Sequence, residues 1–369
     1  MTSEATLEKT VSLLRAPLGN LVQSPLVSVL MSNYNYGAYI GEAIESVVAQ
    51  TYGQFELLVC DDGSKDNSCE TVERYVQQDR RVRLLRKENG GQASGYNAGY
   101  RESRGLIIAF IDSDDIWMPQ KLERVVQAFQ AHPESGLIAH RLLLVDEKRR
   151  RRGVWPLRAH IPDGWQAPAL LRNGGILEDL PPGGGLSLRR EIAERIFPLP
   201  EHGALRSYGD IPPMRLAPLM TSIVALSEPL TEWRRHGQNF ANGSVTLAFI
   251  RREVEAHQAQ WNLQRQYLET VHPSLANGFA PLDASVHMAA MKYMEARFEG
   301  RTAVGLHRKL MRRYSGEETA PKARKWFWRM SIWFPKPFFR LAVNLFTRPN
   351  VLKQALSRLI TSNCEEEYR

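Results

Sequence analysis

The chain has 369 residues, of which 43% are apolar, and a formal net charge of +8 with a pI near 9.4. That length accommodates one large domain and a smaller one, and the charge suits anionic partners such as nucleotides, phospholipids or nucleic acid. The three cysteines, Cys60, Cys69 and Cys364, show no metal spacing. Being odd in number, they give no disulfide framework, which favours a reducing compartment. No run of roughly 18 apolar residues offers a membrane span. The first residues carry Glu4 and Glu8 without a long apolar core, unlike a signal peptide.

Residues 1–24 read as an extension, helical over Thr6 to Leu14. Leu26 to Met31 is an apolar strand, followed by the polar loop Ser32-Asn33-Tyr34-Asn35-Tyr36-Gly37. From Ile40 to Gln50 the apolar positions 40, 43, 44, 47 and 48 have helical spacing. A second strand, Phe55 to Cys60, ends on Asp61-Asp62-Gly63-Ser64, and a helix covers Ser68 to Gln78. The short strand Val82 to Leu85 leads into the Gly-rich Asn89-Gly90-Gly91-Gln92, with a helix over Ala93 to Ser103. Next comes the apolar run Leu106 to Ile111, ending on Asp112-Ser113-Asp114-Asp115. Strand–helix alternation of this kind predicts a mostly parallel sheet. It also places the acids at one edge of that sheet, where open α/β sheets bind ligands.

Beyond a helix over Gln120 to Ala131, strands are expected at Leu137–His140 and Leu142–Val145. The charged run Asp146 to Arg152 reads as a solvated turn, with a phosphate-contacting patch as the alternative. Asn173 to Gly185 is rich in Gly and Pro. Leu186-Ser187-Leu188 returns to the sheet and Arg189 to Ile196 is helical. From about residue 241 the pattern is helical. Residues 321–350 hold seven Lys or Arg and no acid, interleaved with Trp326, Phe327, Trp328, Trp333, Phe334, Phe338, Phe339 and Phe346. Aromatic residues among basic ones favour an anionic membrane surface. The alternatives are a helix packed on the fold or an oligomer contact. Pro335 and Pro337 limit this segment to two short helices.

Three carboxylates within four positions at 112–115 are costly unless a positive charge sits among them, and hard divalent cations take such oxygen ligands. A helix N-cap is the plainer reading, but a cap needs only one acid. Asp62 precedes Gly63, which lets the backbone turn sharply and a ligand approach. A carboxylate there accepts hydrogen bonds from a base or ribose; an Asx-turn or helix cap is the alternative.

The ordered set Val27 to Asn35, Cys60-Asp61-Asp62-Gly63-Ser64, Asn89-Gly90-Gly91 with Asn97-Ala98-Gly99, and Asp112-Ser113-Asp114-Asp115 resembles the GT-A glycosyltransferases of family 2. The likeness is close over 24–131 and looser to about 240. It implies an α/β, Rossmann-like GT-A fold, with a mixed, mostly parallel central sheet flanked by helices. The catalytic domain would span 25–240, and a helical C-terminal region 241–369. It further implies an inverting transferase that moves a sugar from a nucleotide-diphospho-sugar, UDP-sugars being favoured, to a saccharide or lipid-linked acceptor in polysaccharide, lipopolysaccharide or other glycoconjugate synthesis. By this resemblance Ser32, Asn33, Tyr34 and Asp62 hold the nucleoside. Asp112 and Asp114 serve the donor, and Asp115 with Asp114 contacts a divalent metal, Mn or Mg. Asp210, in Tyr208-Gly209-Asp210, matches the base position, although Pro212-Pro213 follow where the family runs into helix. Glu178-Asp179 competes with it but fits the order less well. Arg235 and His236 match a late motif that approaches the diphosphate. Gly183, Gly184 and Gly185 line the acceptor side. Tyr96 stands where family members carry Arg, so it is assigned no diphosphate role.

Other readings are a nucleotidyltransferase or dehydrogenase, which the lack of Gly-x-Gly-x-x-Gly after the first strand disfavours, and a non-catalytic membrane-docked module. No nucleic-acid motif is present. The expected location is cytoplasmic, with peripheral attachment at the inner face of the membrane.

Overall fold

A computed structural model describes residues 11–156, 160–237, 245–315 and 322–347. Most of the helix expected over Thr6 to Leu14 lies outside these residues; within them Ser12–Leu14 forms a single 3-10 turn. The described parts of Met1–His236 and Ala256–Leu282 form one compact unit, and those of Gly237–Glu255 and Asp283–Arg369 another.

The first unit is built on one mixed sheet. Its strands are β1 (Val27–Asn33), β2 (Phe55–Asp61), β3 (Val82–Arg86), β4 (Ile107–Asp112), β5 (Ile116–Trp117), β6 (Ser135–Asp146), β7 (Arg151–Trp155), β8 (Leu186–Arg189) and β9 (Ser222–Arg235). They lie in the order β3-β2-β1-β4-β8-β6-β9-β5, with β7 beside β6. Strands β1 to β4 pair in parallel, as does β6 with β9; β8, β7 and β5 join antiparallel. The connecting helices are α1 (Ile40–Val48), α2 (Ser68–Gln78), α3 (Gln92–Glu102) and α4 (Lys121–Ala131).

Period-two alternation divides the apolar strand residues between two cores. Leu30, Leu58, Ile108 and Phe110 pack with Ala93 and Tyr96 of α3 and with Leu186 and Leu188. Val29, Met31, Leu57, Val59 and Ile111 pack with Ile40, Ile44 and Val47 of α1 and with Leu122, Val125 and Phe129 of α4. Burial on both faces explains why these strands read as continuous apolar runs.

Two details differ from expectation and a third agrees with it. The two strands expected at 137–145 are one strand, β6, whose register against β9 shifts on both sides of Arg141. The helix expected over Arg189 to Ile196 is only α6, Arg190–Ala193, which follows α5 (Ala167–Arg172). The charged run forms the β6–β7 turn and its flanks, and its residues 147–152 are exposed, as the solvated-turn reading expects. Asp146 accepts Lys148 N, Arg150 N and Arg150 Nε at 2.8–3.0 Å, and Arg149 pairs with Glu232 at 2.8 Å.

Further on, α7 (Ile211–Met220) begins with Asp210 at its N-cap and Pro212 in its first turn. Prolines are tolerated there because the first amides of a helix lack intrahelical partners. Helices α8 (Leu247–Val271) and α9 (Pro273–Gly278) follow. In the second unit, α10 (Val286–Glu299) starts on Ser285, whose hydroxyl accepts Met288 N, and ends on Gly300 at φ +85°. Helices α11 (Val304–Ser315), α12 (Lys322–Met330) and α13 (Lys336–Thr347) complete it. Among the described residues no helix is long and apolar enough to cross a membrane.

One side chain ties the parallel strands' helices to the loop that leads toward Asp210. Asn97 of α3 donates to Leu199 O at 2.8 Å and accepts from Leu199 N at 2.7 Å. Asn97→Ala would leave both backbone groups of the buried Leu199 unpaired. The expected cost is about 2–4 kcal/mol, measured as a lower urea midpoint with the slope unchanged; a midpoint within error of the parent would refute this.

Candidate active site

The strand register brings the sequence motifs together. Asn33 pairs with Asp61 across β1 and β2, and Ser32 with Asp112 across β1 and β4. All four therefore sit at the carboxyl ends of parallel strands. Asn33 is buried and uses its amide within the protein, donating to Asp61 Oδ1 at 2.9 Å and Ser64 Oγ at 3.1 Å. Burial pushes the Asp61 carboxyl up, but hydrogen bonds from Ser64 and Asn33 outweigh this and hold it below its usual range. Asn33 and Asp61 are thus a brace under the loop. Ser32 takes Ser113 Oγ on its carbonyl at 2.9 Å.

Asp62 faces the Gly-rich loop. Its Oδ1 accepts Lys87 Nζ at 2.6 Å and Gly90 N at 2.8 Å, and its Oδ2 accepts Gly91 N at 2.7 Å. Gly63 and Gly91 have φ of +79° and +89°, the left-handed region that favours glycine. Beside them opens a cavity of about 530 Å³ lined by Tyr34, Gly63, Lys65, Arg86, Lys87, Glu88 and Asn89. Tyr34 is 45% exposed there. Of the cations on this cleft, Lys87 is paired with Asp62 and Arg86 with Glu73, so the exposed Tyr34 ring and Lys65 are its more accessible groups.

The acid cluster is the electrostatic centre. Asp115 is buried, receives Arg234 N on Oδ1 at 3.0 Å, and bonds through its own N–H to Asp112 O at 3.1 Å. Asp114 Oδ2 lies 2.9 Å from His236 Nε2. Asp112 Oδ1 accepts Gln92 Nε2 at 3.2 Å and the Tyr96 hydroxyl at 3.4 Å. Burial, then Asp114 and Asp210, push Asp112 up to about 7. Burial, then Asp114 and Asp112, push Asp115 well above its ordinary range. Like charges in a poorly solvated site raise one another in this way.

The donor set fits a hard divalent cation. Asp112 Oδ2 and Asp115 Oδ2 accept no hydrogen bond among the described residues, and their mutual repulsion is what a cation would relieve. Among the described residues no group of three His, Cys, Asp or Glu side chains forms a metal cage; Mg²⁺ and Mn²⁺ commonly take one or two carboxylates and complete their shell from phosphates and water.

The later sequence closes the site. Asp210 Oδ2 accepts Gly183 N at 3.2 Å, and burial raises its carboxyl above the usual range. A Cβ on Gly183 would stand 2.8 Å from Asp210 Cβ, and one on Gly184 3.2 Å from Asp115 Oδ2. The 3-10 turn Gly183–Gly185 therefore lies between Asp210 and the acid cluster, with no room for a Cβ at Gly183 and a tight fit for one at Gly184. His236 stacks on Tyr39 with centroids 4.3 Å apart, so Asp114 fixes one edge of its ring and Tyr39 one face. Arg235 lies over Trp233 at 4.1 Å; burial lowers its guanidinium, against the pull of Asp115. The competing Asp179 sits at φ +63°.

Several contributors were not legible in the sequence. Lys121, read only as part of a helix, is fully buried. Its Nζ donates to Gly184 O at 2.8 Å and Thr231 Oγ1 at 3.2 Å and lies 3.7 Å above the Trp117 ring. Burial pushes its ammonium well below the ordinary range, opposed by Asp115 and Asp112. Gln92 bridges Asp112 to Gly209 N at 2.9 Å. Arg206 grips Asn89 O, Asn89 Oδ1 and Gly90 O at 2.8–3.1 Å. The only available signal for Gln92 was its place in the Gly-rich run.

The sequence profile of Glycosyl transferase family 2 matches residues 28–197. An uncharacterised glycosyltransferase of Nostoc sp. is 31% identical over 301 residues, covering 80% of this chain and 91% of that protein. The chain belongs to glycosyltransferase family 2. This glycosyltransferase is also similar to the UDP-Glc:alpha-D-GlcNAc-diphosphoundecaprenol beta-1,3-glucosyltransferase WfgD of Escherichia coli, at 46% identity over 99 residues, 27% of this chain and 38% of that protein. Staphylococcus aureus TarS 1-349, solved in complex with UDP-GlcNAc, shares its fold with a TM-score of 0.50 at 18% identity, covering 85% of this chain and 89% of that one. The architecture is the expected GT-A fold with a C-terminal helical region.

The raised carboxylates of this glycosyltransferase make a stability prediction. A carboxylate whose pKa is higher folded than unfolded takes up protons on folding. Its destabilising effect therefore grows as pH rises from the unfolded value through the folded one. For Asp112 that window runs from 3.8 to about 7. In the presence of a chelator, Tm is expected to fall across this window, and Asp115→Asn to flatten the fall and raise Tm at its upper end. A Tm profile identical to the parent's would contradict the assigned crowding.

Proposed function

We propose that this glycosyltransferase moves a sugar from a nucleotide-diphospho-sugar to an acceptor hydroxyl with inversion at the anomeric carbon, Asp210 acting as the base. The observation that carries this reading is the Gly183–Gly184 turn, which is tied to Asp210 on one side and abuts Asp115 on the other. A donor-side carboxylate cluster and a single acceptor-side carboxylate thus flank one small space.

The roles follow from the chemistry each position permits. Tyr34, Ser32 and Asp62 face the nucleoside, with Asn33 beneath them. Asp62 is held as an acceptor by Lys87 and the Gly90 and Gly91 amides, so a base or ribose donor meets a preorganised carboxylate. Asp114 and Asp115, with Asp112, would hold Mn²⁺ or Mg²⁺. When bound, such a cation supplies Lewis-acid stabilisation of the charge left on the departing diphosphate. Arg235 and His236 add positive charge or hydrogen-bond donors toward that group, and the Gly183–Gly185 backbone lines the acceptor side. Asp210 accepts the acceptor's hydroxyl proton as the oxygen attacks; direct displacement needs this base and no covalent nucleophile. Its raised pKa makes it a better proton acceptor than a solvated aspartate. A uridine donor is favoured by the UDP-Glc named for the E. coli relative and the UDP-GlcNAc bound by TarS. The proposed acceptor is a saccharide or lipid-linked saccharide, and the pathway that of a polysaccharide, lipopolysaccharide or other glycoconjugate.

A screen of nucleotide-sugars for hydrolysis identifies the donor, and the base is then tested on it. Asp210→Asn keeps the shape and the Gly183 contact but removes the proton acceptor. We expect kcat to fall about 10²–10⁴-fold with donor affinity unchanged; near-parent turnover would place the base elsewhere.

The parent should also show rate rising with pH through an acid limb above 3.8, the ordinary aspartate value, because the base must be deprotonated to act. A flat profile down to that value would count against Asp210.

A further inference from the structure

The C-terminal helices sort their aromatic residues into two sets. Phe327, Trp328 and Phe339 are buried. Trp328 and Phe339 meet Tyr293 at 6.1 and 5.7 Å, and Phe339 also meets Phe298 at 6.0 Å. These side chains are the core of the second unit, and packing accounts for them. It does not account for the rest. Trp326 is 58% exposed and Trp333 79%, and Phe338 and Leu341 are also more than half exposed. Phe338 and Leu341, three residues apart, are neighbours on the exposed side of α13, while Phe339, Ala342 and Val343 are buried. The Phe334 ring meets Phe338 edge-on at 5.0 Å, and Trp333 adjoins it in the 3-10 turn Ser331–Trp333. Phe334, Phe338 and Leu341 thus form an apolar ridge preceded by an almost fully solvated indole.

Charge decides what would cover it. Residues 321–350 hold seven Lys or Arg and no acid. Arg329 and Lys336 are exposed and make no ion pair among the described residues. A protein interface tends to exclude charge, lysine above all, from its apolar centre. A bilayer surface satisfies both features at once: rings enter the headgroup–acyl boundary while cations meet anionic headgroups. We infer that Trp333, Phe338 and Leu341, with Arg329 and Lys336, form a docking surface for a bilayer containing anionic lipid. This holds whatever sugar and acceptor the enzyme uses.

The test is co-sedimentation of the full chain with vesicles of phosphatidylcholine alone or mixed with phosphatidylglycerol. Binding is expected on the mixed vesicles, falling with added salt. It should fall about fivefold for each of Arg329→Glu and Lys336→Glu, and further for Trp333→Ser with Phe338→Ser. The charge reversals alter only exposed side chains and keep the test valid should the aromatic variant fail to fold. Absence of binding, or equal binding by the charge-reversed and parent chains, overturns the inference. So does a parent dimer that Trp333→Ser with Phe338→Ser converts to monomer, since a second copy would then cover the ridge. Single-stranded RNA competing the protein off the vesicles through the same residues would assign the surface to nucleic acid instead.

Discussion

Asp112, Asp114, Asp115 and Asp210 occupy one poorly solvated neighbourhood, and much of the active-site architecture can be understood as the means of holding them there. Burial and mutual repulsion raise Asp112 and Asp115, so each ionised carboxylate works against the fold. The protein offsets part of this internally. Backbone amides of Arg234 and Gly183 reach Asp115 and Asp210, His236 reaches Asp114, and the buried Lys121 adds a cation whose own burial is opposed by the same acids. The compensation is incomplete, which is common where stability is exchanged for function.

The same arrangement joins the two halves of the sheet. Gln92 spans from Asp112 on β4 to Gly209 beside the proposed base. Arg206, four positions before that base, grips the loop whose amides hold Asp62. Asn97 fixes Leu199 a little earlier in the same connection. Residues of the cleft beside Asp62 and residues around Asp210 are thereby linked through α3 and its preceding loop.

The parallel half of the fold was legible because each signal there is local. Apolar runs such as Leu106 to Ile111, turn residues such as Gly63, and acids at strand ends all lie within a few positions of one another, and α2 has the bounds its spacing predicts. The antiparallel half was less so. Strand β6 looked broken at Arg141 because a bulge interrupts the alternation while pairing continues on either side. Lys121 was invisible for a different reason. Its partners, Gly184 O and Thr231, lie 63 and 110 positions away, and a lysine at the start of an amphipathic helix ordinarily points to water. Asp210 was reachable only through resemblance, since its environment is made by a glycine turn nearly thirty residues upstream. In the C-terminal segment, sequence counted the aromatic residues but could not divide them; that required knowing which helix faces meet Tyr293 and Phe298.

Gly183 and Gly184 bring the proposed base and the acid cluster against one turn. Asp210 packs too closely on Gly183 for a Cβ and Asp115 lies beside Gly184, so the two acids border one turn, itself bonded to Lys121 through the Gly184 carbonyl. Lys121 therefore acts on the site twice, as a charge near the acids and as the anchor of the turn. Removing its charge alone and removing its hydrogen bonds alone are different perturbations: the first raises the acids further, the second lets the distance between base and donor cluster drift. Proximity effects depend steeply on such distances. A buried lysine far in sequence from the proposed base thus holds the turn whose amide that base accepts.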